Sequence, residues 1–310
     1  MRIVFCGTPA FAVPSLERLI REPGFEIEAV VTQPDRPGGR GLTTVASPVK
    51  QVALAAGLTV YQPAKVRSDE ALDFFRRLAP DAVVIIAFGQ IIPPRLIEIA
   101  RFGWINLHAS LLPKYRGAAP IQWAVAEGET RTGLTTMQID AGLDTGPMLL
   151  RWETEIGPEE TAPELAARMA GAGPALVVET LRGLAAGLIV PRPQDHSLAT
   201  SAPMLRKQDG RIDWGWPAKK IYNRIRGLAP WPGAYTTFRG TLCHVWGRPA
   251  ELAESAPPGA LRAVGNQLYA ACGEATWLRV EAVQREGRKR ITGGEFLSGA
   301  RLAPGDSFGS

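Results

Sequence analysis

Apolar and polar positions alternate along the chain in two rhythms, one strand-like and one helical. Arg2–Cys6 is a nearly unbroken apolar run and predicts a buried first strand. Gly7-Thr8-Pro9 reads as a turn, Ala10–Arg21 as a helix with Pro14 in its first turn, and Glu26–Thr32 as a second strand. Strand, turn, helix and strand in this order predict a βαβ unit and a parallel sheet. A helix over 50–56, a short strand over 59–61 and a helix over 68–78 follow, the last with Ser68 as N-cap and Asp69 or Glu70 in its first turn. Asp81–Phe88 is apolar throughout after its first residue, as suits the centre of a parallel sheet. Trp104–His108, Gly133–Ile139 and Met148–Glu155 are further strands. One long helix is expected over 161–184, kinked at Gly171-Ala172-Gly173-Pro174.

From Ala185 to Ala202 the regular signals fade and Pro, Gln and Ser accumulate, which predicts a linker stiffened at Pro191 and Pro193. Beyond it, a helix is expected over 217–227, opened by Pro217 and closed by Gly227. Five short apolar segments then alternate with glycine-containing turns: 235–238, 242–246, 260–264, 268–271 and 277–283. That spacing predicts a small β-barrel. The expected organisation is an α/β domain over 1–187, a linker over 188–205 and a barrel over 206–310.

The richest chemistry lies between Trp104 and Met148. Asn106 and His108 are two apart in a strand and share a face, near the end where open α/β sheets place ligands. The turn Asp140-Ala141-Gly142-Leu143-Asp144-Thr145-Gly146 offers two carboxylates and enough glycine to bring Asp144 back towards His108. An Asn, a His and an Asp in one pocket suit proton transfer and oxyanion stabilisation. Singly, each has a plainer explanation: a histidine hydrogen-bonded for structure, an aspartate holding a turn, an asparagine capping a loop.

Gln33–Pro48 is a long polar loop carrying Arg36 and Arg40 among glycines and prolines. A loop of that length inside a compact domain is uncommon unless it is functional or disordered. Charge is uneven. Residues 206–310 hold 16 Lys or Arg against 9 Asp or Glu, net +7, while the preceding residues sum to −2. A basic barrel reads as a nucleic-acid platform or as a solvated basic surface, and Arg285, Arg288, Lys289 and Arg290 form its densest cluster. Composition narrows the field further. The 310 residues are 45% apolar and 21% charged, ordinary for a globular protein. No apolar run reaches the ~20 residues of a membrane span, and no signal-peptide pattern opens the chain. Cys6, Cys243 and Cys272 are scattered, which predicts free thiols in a reducing cytoplasm. The turn after the first strand lacks GxGxxG, which disfavours a nicotinamide cofactor. No metal-ligand spacing stands out, so no metal requirement is expected, and no interface pattern stands out, so a monomer is expected.

In combination these segments resemble the formyltetrahydrofolate-dependent transferases. Asn106-Leu107-His108-Ala109-Ser110-Leu111-Leu112-Pro113 with Tyr115-Arg116-Gly117 is similar to that superfamily's signature, and Gln138–Gly146 to its companion motif. The likeness extends to Phe5–Pro9, Thr32–Pro37 with Gly39-Arg40-Gly41, Ser47–Lys50, Arg211–Trp214 and Pro230–Ala234, and so spans nearly the whole chain. It implies a Rossmann-like catalytic domain followed by an OB-like barrel. It implies 10-formyltetrahydrofolate as co-substrate and methionyl initiator tRNA as acceptor and partner. By that resemblance Asn106, His108 and Asp144 are catalytic, and Phe88, Ser110, Leu111, Leu112, Pro113 and Asp140 bind folate. Arg36, Arg40, Lys207, Arg288, Lys289 and Arg290 are the implied tRNA contacts. The loop departs from a lysine-rich version in this group: Leu42, Thr43 and Thr44 follow Gly41, which leaves fewer phosphate contacts.

The same Asn-His-Asp set also serves formyl transfer to glycinamide ribonucleotide or to a sugar amine, and hydrolysis with water as acceptor. The arginine loop and the basic second domain argue against glycinamide ribonucleotide. A sugar-amine enzyme of one form would carry a fused dehydratase- or decarboxylase-like domain. A hydrolase would need no RNA-binding surface, and a non-catalytic RNA-binding protein would not need the triad.

Overall fold

The structure, a computed structural model, describes residues 1–38 and 43–310, with the backbone alone of 36–38, 43 and 44. In chain order the first elements are β1 (Arg2–Gly7), α1 (Val13–Arg21), β2 (Glu26–Val31), β3 (Arg36–Gly38), β4 (Thr43–Val45), α2 (Pro48–Ala55) and β5 (Val60–Tyr61). Then come α3 (Asp69–Leu78), β6 (Ala82–Ile86), α4 (Pro94–Ile97), β7 (Trp104–His108), α5 (Pro120–Ala126), β8 (Arg131–Gln138), β9 (Met148–Glu155) and α6 (Ala162–Ala185). The remaining elements are α7 (Ala218–Gly227), β10 (Tyr235–Phe238), β11 (Thr241–Ala250), β12 (Leu261–Val264), β13 (Gln267–Ala271), β14 (Trp277–Arg285), β15 (Ile291–Thr292) and α8 (Gly293–Ala300).

The described chain divides into two compact units. One comprises 1–120, 131–155 and 165–203; the other comprises 121–130, 156–164 and 204–310.

The first unit is built on a seven-stranded sheet ordered β5-β2-β1-β6-β7-β8-β9. The strands from β5 to β7 are parallel, and β8 and β9 add antiparallel pairs at one edge. Every residue of β6 is buried, which explains its unbroken apolar sequence. The chain reverses its direction of travel across the sheet between β1 and β6, and open sheets place their ligands beyond the carboxyl ends at such a point. There Thr8 Oγ1 donates to the Phe88 carbonyl at 3.3 Å, and Gln33 Nε2 donates to the same oxygen at 3.1 Å. Ser68 caps α3 as expected, accepting from the Ala71 N–H. The helix expected over 161–184 forms as one element, α6, which continues through Pro174.

Two expectations change. The loop over 33–48 contains a short antiparallel pair, β3 with β4. Its base is fastened by Thr32 Oγ1 on Ser47 Oγ at 2.8 Å and by Lys50 Nζ on Asp35. That lysine, with Gln62, holds the Asp35 carboxyl below its ordinary value. Arg36 lies in β3, where only the backbone is described, and Arg40 and Leu42 lie outside the described residues. The stretch expected as a linker instead belongs with the first unit through its residue 203. Arg192 exchanges backbone hydrogen bonds with Met148, both 2.8 Å, and Ala202 N–H donates to the Arg116 carbonyl at 2.7 Å.

The second unit holds a six-stranded antiparallel sheet ordered β10-β11-β14-β13-β12, with β15 against β14. Alternation along β11 buries Cys243 and Val245 in the core and leaves His244 and Trp246 half-buried, with Trp246 packed against the core's margin. The carboxyl-terminal segment joins the two edges of this sheet. Phe308 N–H donates to the Gly259 carbonyl ahead of β12, and Gly309 N–H to the Thr237 carbonyl of β10, both at 2.8 Å. Phe308 itself is 3% exposed and stacks on Trp214 with ring centroids 5.3 Å apart. Arg239 holds Asp306 at 2.6 Å just ahead of it. The helix α8 was not expected from periodicity, yet Thr292 and Glu295 form a reciprocal capping box at its start.

All three cysteines are free and buried. Burial pushes the Cys272 thiol up to about 12 and raises Cys6 and Cys243 as well. Because Phe308 closes the sheet from inside, Phe308→Ala is expected to cost about 3–5 kcal/mol. Denaturant unfolding followed by tryptophan fluorescence measures it, and a loss under about 1 kcal/mol contradicts the closure.

Candidate active site

Strand β7 sets the first two side chains. It pairs with β6 on one side and β8 on the other, so its backbone is rigid, and Asn106 and His108 project from one face. His108 is 5% exposed. Its Nε2 lies 2.9 Å from the Tyr115 carbonyl. A carbonyl only accepts, so Nε2 carries the hydrogen and Nδ1 is the basic nitrogen of the neutral ring.

Asp144 arrives from the turn after β8. Its Oδ1 accepts from Asn106 Nδ2 at 3.4 Å, its Oδ2 accepts from the Gly117 N–H at 2.8 Å, and the same Oδ2 lies 3.6 Å from His108 Nδ1. The sequence placed these three residues in one pocket, and the structure brings them together around a single carboxylate. Asp144 occupies the left-handed region at φ +53, which aspartate tolerates better than most residues. Tyr115, at φ +59, is a bulky residue in the same region and marks stored strain beside the site.

The other turn residues hold this arrangement. Asp140 Oδ1 accepts from Gly142 N–H at 3.0 Å and Thr145 Oγ1 at 2.6 Å, closing the turn from inside. At Gly146 an added Cβ would stand 1.9 Å from the Gln138 carbonyl oxygen, so only glycine lets the turn come so near β8.

The other implied folate residues divide by what they present. Phe88 is 2% exposed and packs into the apolar core, leaving its backbone carbonyl at the end of β6. Ser110 is fully buried and donates to the Lys114 carbonyl at 2.6 Å, so its hydroxyl holds the loop. Thr135 Oγ1 donates to the Ser110 carbonyl at 2.7 Å and accepts from Leu112 N–H at 3.2 Å. Leu111 and Pro113 are half-buried and Leu112 is buried. In the second unit Lys207 is exposed, and Arg288, Lys289 and Arg290 stand on an exposed turn between β14 and β15. Arg290 lies over the Trp246 ring, 4.0 Å from its centroid. Among the described residues no group of three or more His, Cys, Asp or Glu side chains is placed to hold a metal ion.

Sequence reasoning missed Gln194, which is buried and donates to the carbonyls of Asp144 and Gly146. It sits in the Pro- and Ser-rich stretch read as a linker, where no periodicity marks it.

Comparison with known proteins places the chain in a family. The Formyl transferase family model matches residues 1–181, and the Formyl transferase, C-terminal domain model matches residues 204–301. The methionyl-tRNA formyltransferase of Solibacter usitatus is 58% identical over 310 residues, covering 100% of this chain and 99% of that protein. The chain belongs to the methionyl-tRNA formyltransferase family. A second member, from Geobacter sulfurreducens, is 49% identical and covers 100% of this chain and 97% of its own length. Among solved structures, the sugar 3N-formyl transferase WlaRD shares the fold at TM-score 0.65 and 17% identity, covering 93% of this chain and 99% of its own. The HypX protein of Aquifex aeolicus, solved with tetrahydrofolic acid, shares it at TM-score 0.60 and 15% identity, covering 96% of this chain and 47% of its own.

Gly117 is held at φ +124, and an added Cβ would meet the Ala202 carbonyl oxygen at 2.6 Å. Gly117→Ala is therefore expected to cost about 1–3 kcal/mol of stability through backbone strain. Thermal unfolding measures it, and an unchanged midpoint contradicts the close approach.

Proposed function

We propose that the chain transfers the formyl group of 10-formyltetrahydrofolate to the α-amino group of methionyl initiator tRNA, giving the N-formylmethionyl-tRNA that starts translation. The observation that carries this reading is the Asn106–His108–Asp144 cluster in a chain 58% identical, end to end, to the methionyl-tRNA formyltransferase of Solibacter usitatus.

The neutral amine attacks the formyl carbon, and negative charge grows on the formyl oxygen. Asn106 Nδ2 has two hydrogens, one aimed at Asp144, and the other is the donor to that oxygen. The amine must lose one proton as the new C–N bond forms, and the leaving N10 must gain one. Asp144 accepts from the amine directly or through water. His108 exchanges a proton at Nδ1, because its Nε2–H is committed to the Tyr115 carbonyl. A cation formed at that ring faces Asp144 Oδ2. The protons balance without a covalent adduct to the protein.

Folate is assigned to the crevice beyond β1, β6 and β7, with the Phe88 backbone, the 110–113 loop and Asp140 at its borders. The tRNA contacts are assigned to Arg36, Arg40, Lys207, Arg288, Lys289 and Arg290. The stacked Arg290 and Trp246 on the basic sheet support a platform for phosphates and bases. The catalytic part of this reading is carried by 1–187 and the tRNA-binding part by 206–310. The reading also gives a cytoplasmic monomer; no described helix is long and apolar enough to cross a membrane.

The test offers 10-formyltetrahydrofolate with four acceptors: methionyl initiator tRNA, methionyl elongator tRNA, glycinamide ribonucleotide and water. Transfer to the initiator form alone is expected. Transfer to glycinamide ribonucleotide, or hydrolysis alone, overturns the acceptor assignment. Asn106→Ala, which removes one oxyanion donor, is expected to lower turnover about 100- to 1000-fold with the fold intact. Near-normal turnover removes Asn106 from the mechanism.

A further inference from the structure

We infer that Gln194 is the positioning residue that sets the Asp144 carboxylate for the reaction; the inference rests on the formyl-transfer reading above. Gln194 is 5% exposed, and its amide is engaged on both sides. Nε2 donates to the Asp144 carbonyl and to the Gly146 carbonyl, each at 2.8 Å. Oε1 accepts from Arg116 Nε at 3.1 Å and Nη2 at 2.7 Å. The amide has one workable orientation. Flipped, its oxygen would meet two carbonyl oxygens and its N–H groups would meet a guanidinium.

Both of the carbonyls it grips belong to the turn that carries Asp144 in the left-handed region. A residue held at φ +53 needs surrounding bonds to keep it there. Gln194 supplies two of them from the backbone side, while Gly117 N–H supplies one to the carboxylate at 2.8 Å. The circuit closes on itself. Arg116, whose guanidinium grips Gln194, directly precedes Gly117, whose N–H grips Asp144. Arg116 is also tied by its own backbone to Thr200 and Ala202, at 2.9 and 2.7 Å. Gln194 thus fixes the distance between the Asp144 backbone and the loop that receives its side chain. It reaches no reacting atom in this arrangement and acts through Asp144.

Two variants test this. Gln194→Ala removes every side-chain bond. Gln194→Glu keeps the partner of Arg116 and loses the donors to the two carbonyls. Both are expected to lower kcat about 10- to 100-fold, the scale of a small misplacement of a reacting group, with each KM within about 3-fold. The second readout needs no substrate. Amide exchange at Gly117 is expected to quicken at least about 10-fold while Val84 in β6 is unchanged, since only the Asp144 contact is released. Asp195→Ala, which removes a local turn cap and leaves the Gln194 bonds in place, is expected to keep kcat within about 2-fold. A kcat within about 2-fold in both Gln194 variants, or equal acceleration of exchange at Gly117 and Val84, overturns the inference. Should methionyl-tRNA prove not to be the acceptor, the functional reading falls and Gly117 exchange still decides the role of Gln194.

Discussion

One carboxylate organises the site. Asp144 has a side chain only 15% exposed, and carboxyl oxygens so placed need hydrogen-bond donors. It is met by the Asn106 amide from β7 and by the Gly117 N–H from the loop that follows, with His108 Nδ1 facing it from the same strand. Each donor fixes a different element, and the carboxylate is the point where strand, loop and turn agree. That agreement is maintained at a local cost, seen in the left-handed backbones of Tyr115 and Asp144.

The sheet beneath makes such a small target attainable. Buried β6 and its parallel neighbours hold β7 in register, and the strained segments are loops laid on that platform. The second unit solves a different problem. It must keep an open antiparallel sheet from exposing its edges, and the tail around Phe308 bonds to both ends of the strand order. Within that unit Arg226, 5% exposed, holds the 156–164 excursion by donating to the Gly157 and Glu160 carbonyls at 3.1 and 2.8 Å. Burial lowers the Arg226 guanidinium from its ordinary value, and its other partners are the Asn223 carboxamide and the Tyr222 ring.

The elements with strong local signals were legible. Apolar β1 and β6, the Ser68 cap of α3 and the Pro217-led α7 follow from periodicity and capping alone. Asn106 and His108 could be paired because a strand fixes which residues share a face. Asp144 could be added because its turn is rich in glycine. What stayed hidden depends on contacts distant in sequence. Gln194 reaches Asp144 across 50 residues, and nothing in the flanking prolines announces it. The inward hydroxyl of Ser110 was hidden although its partner, the Lys114 carbonyl, is only four residues on, because the turn of the loop between them aims it there. The helix α8 had its signal in Thr292 and Glu295, but Gly293 and Gly294 between them read as a turn.

The most direct measurement is the single-turnover rate of formyl transfer to methionyl initiator tRNA by Asp144→Asn. The substitution keeps the size of the side chain and removes its charge. A fall of about 100-fold or more, with both substrates still bound, is predicted for a group that handles the amine proton and faces the imidazole. A rate within about 3-fold of the unaltered chain would show that the carboxylate serves the turn and not the reaction.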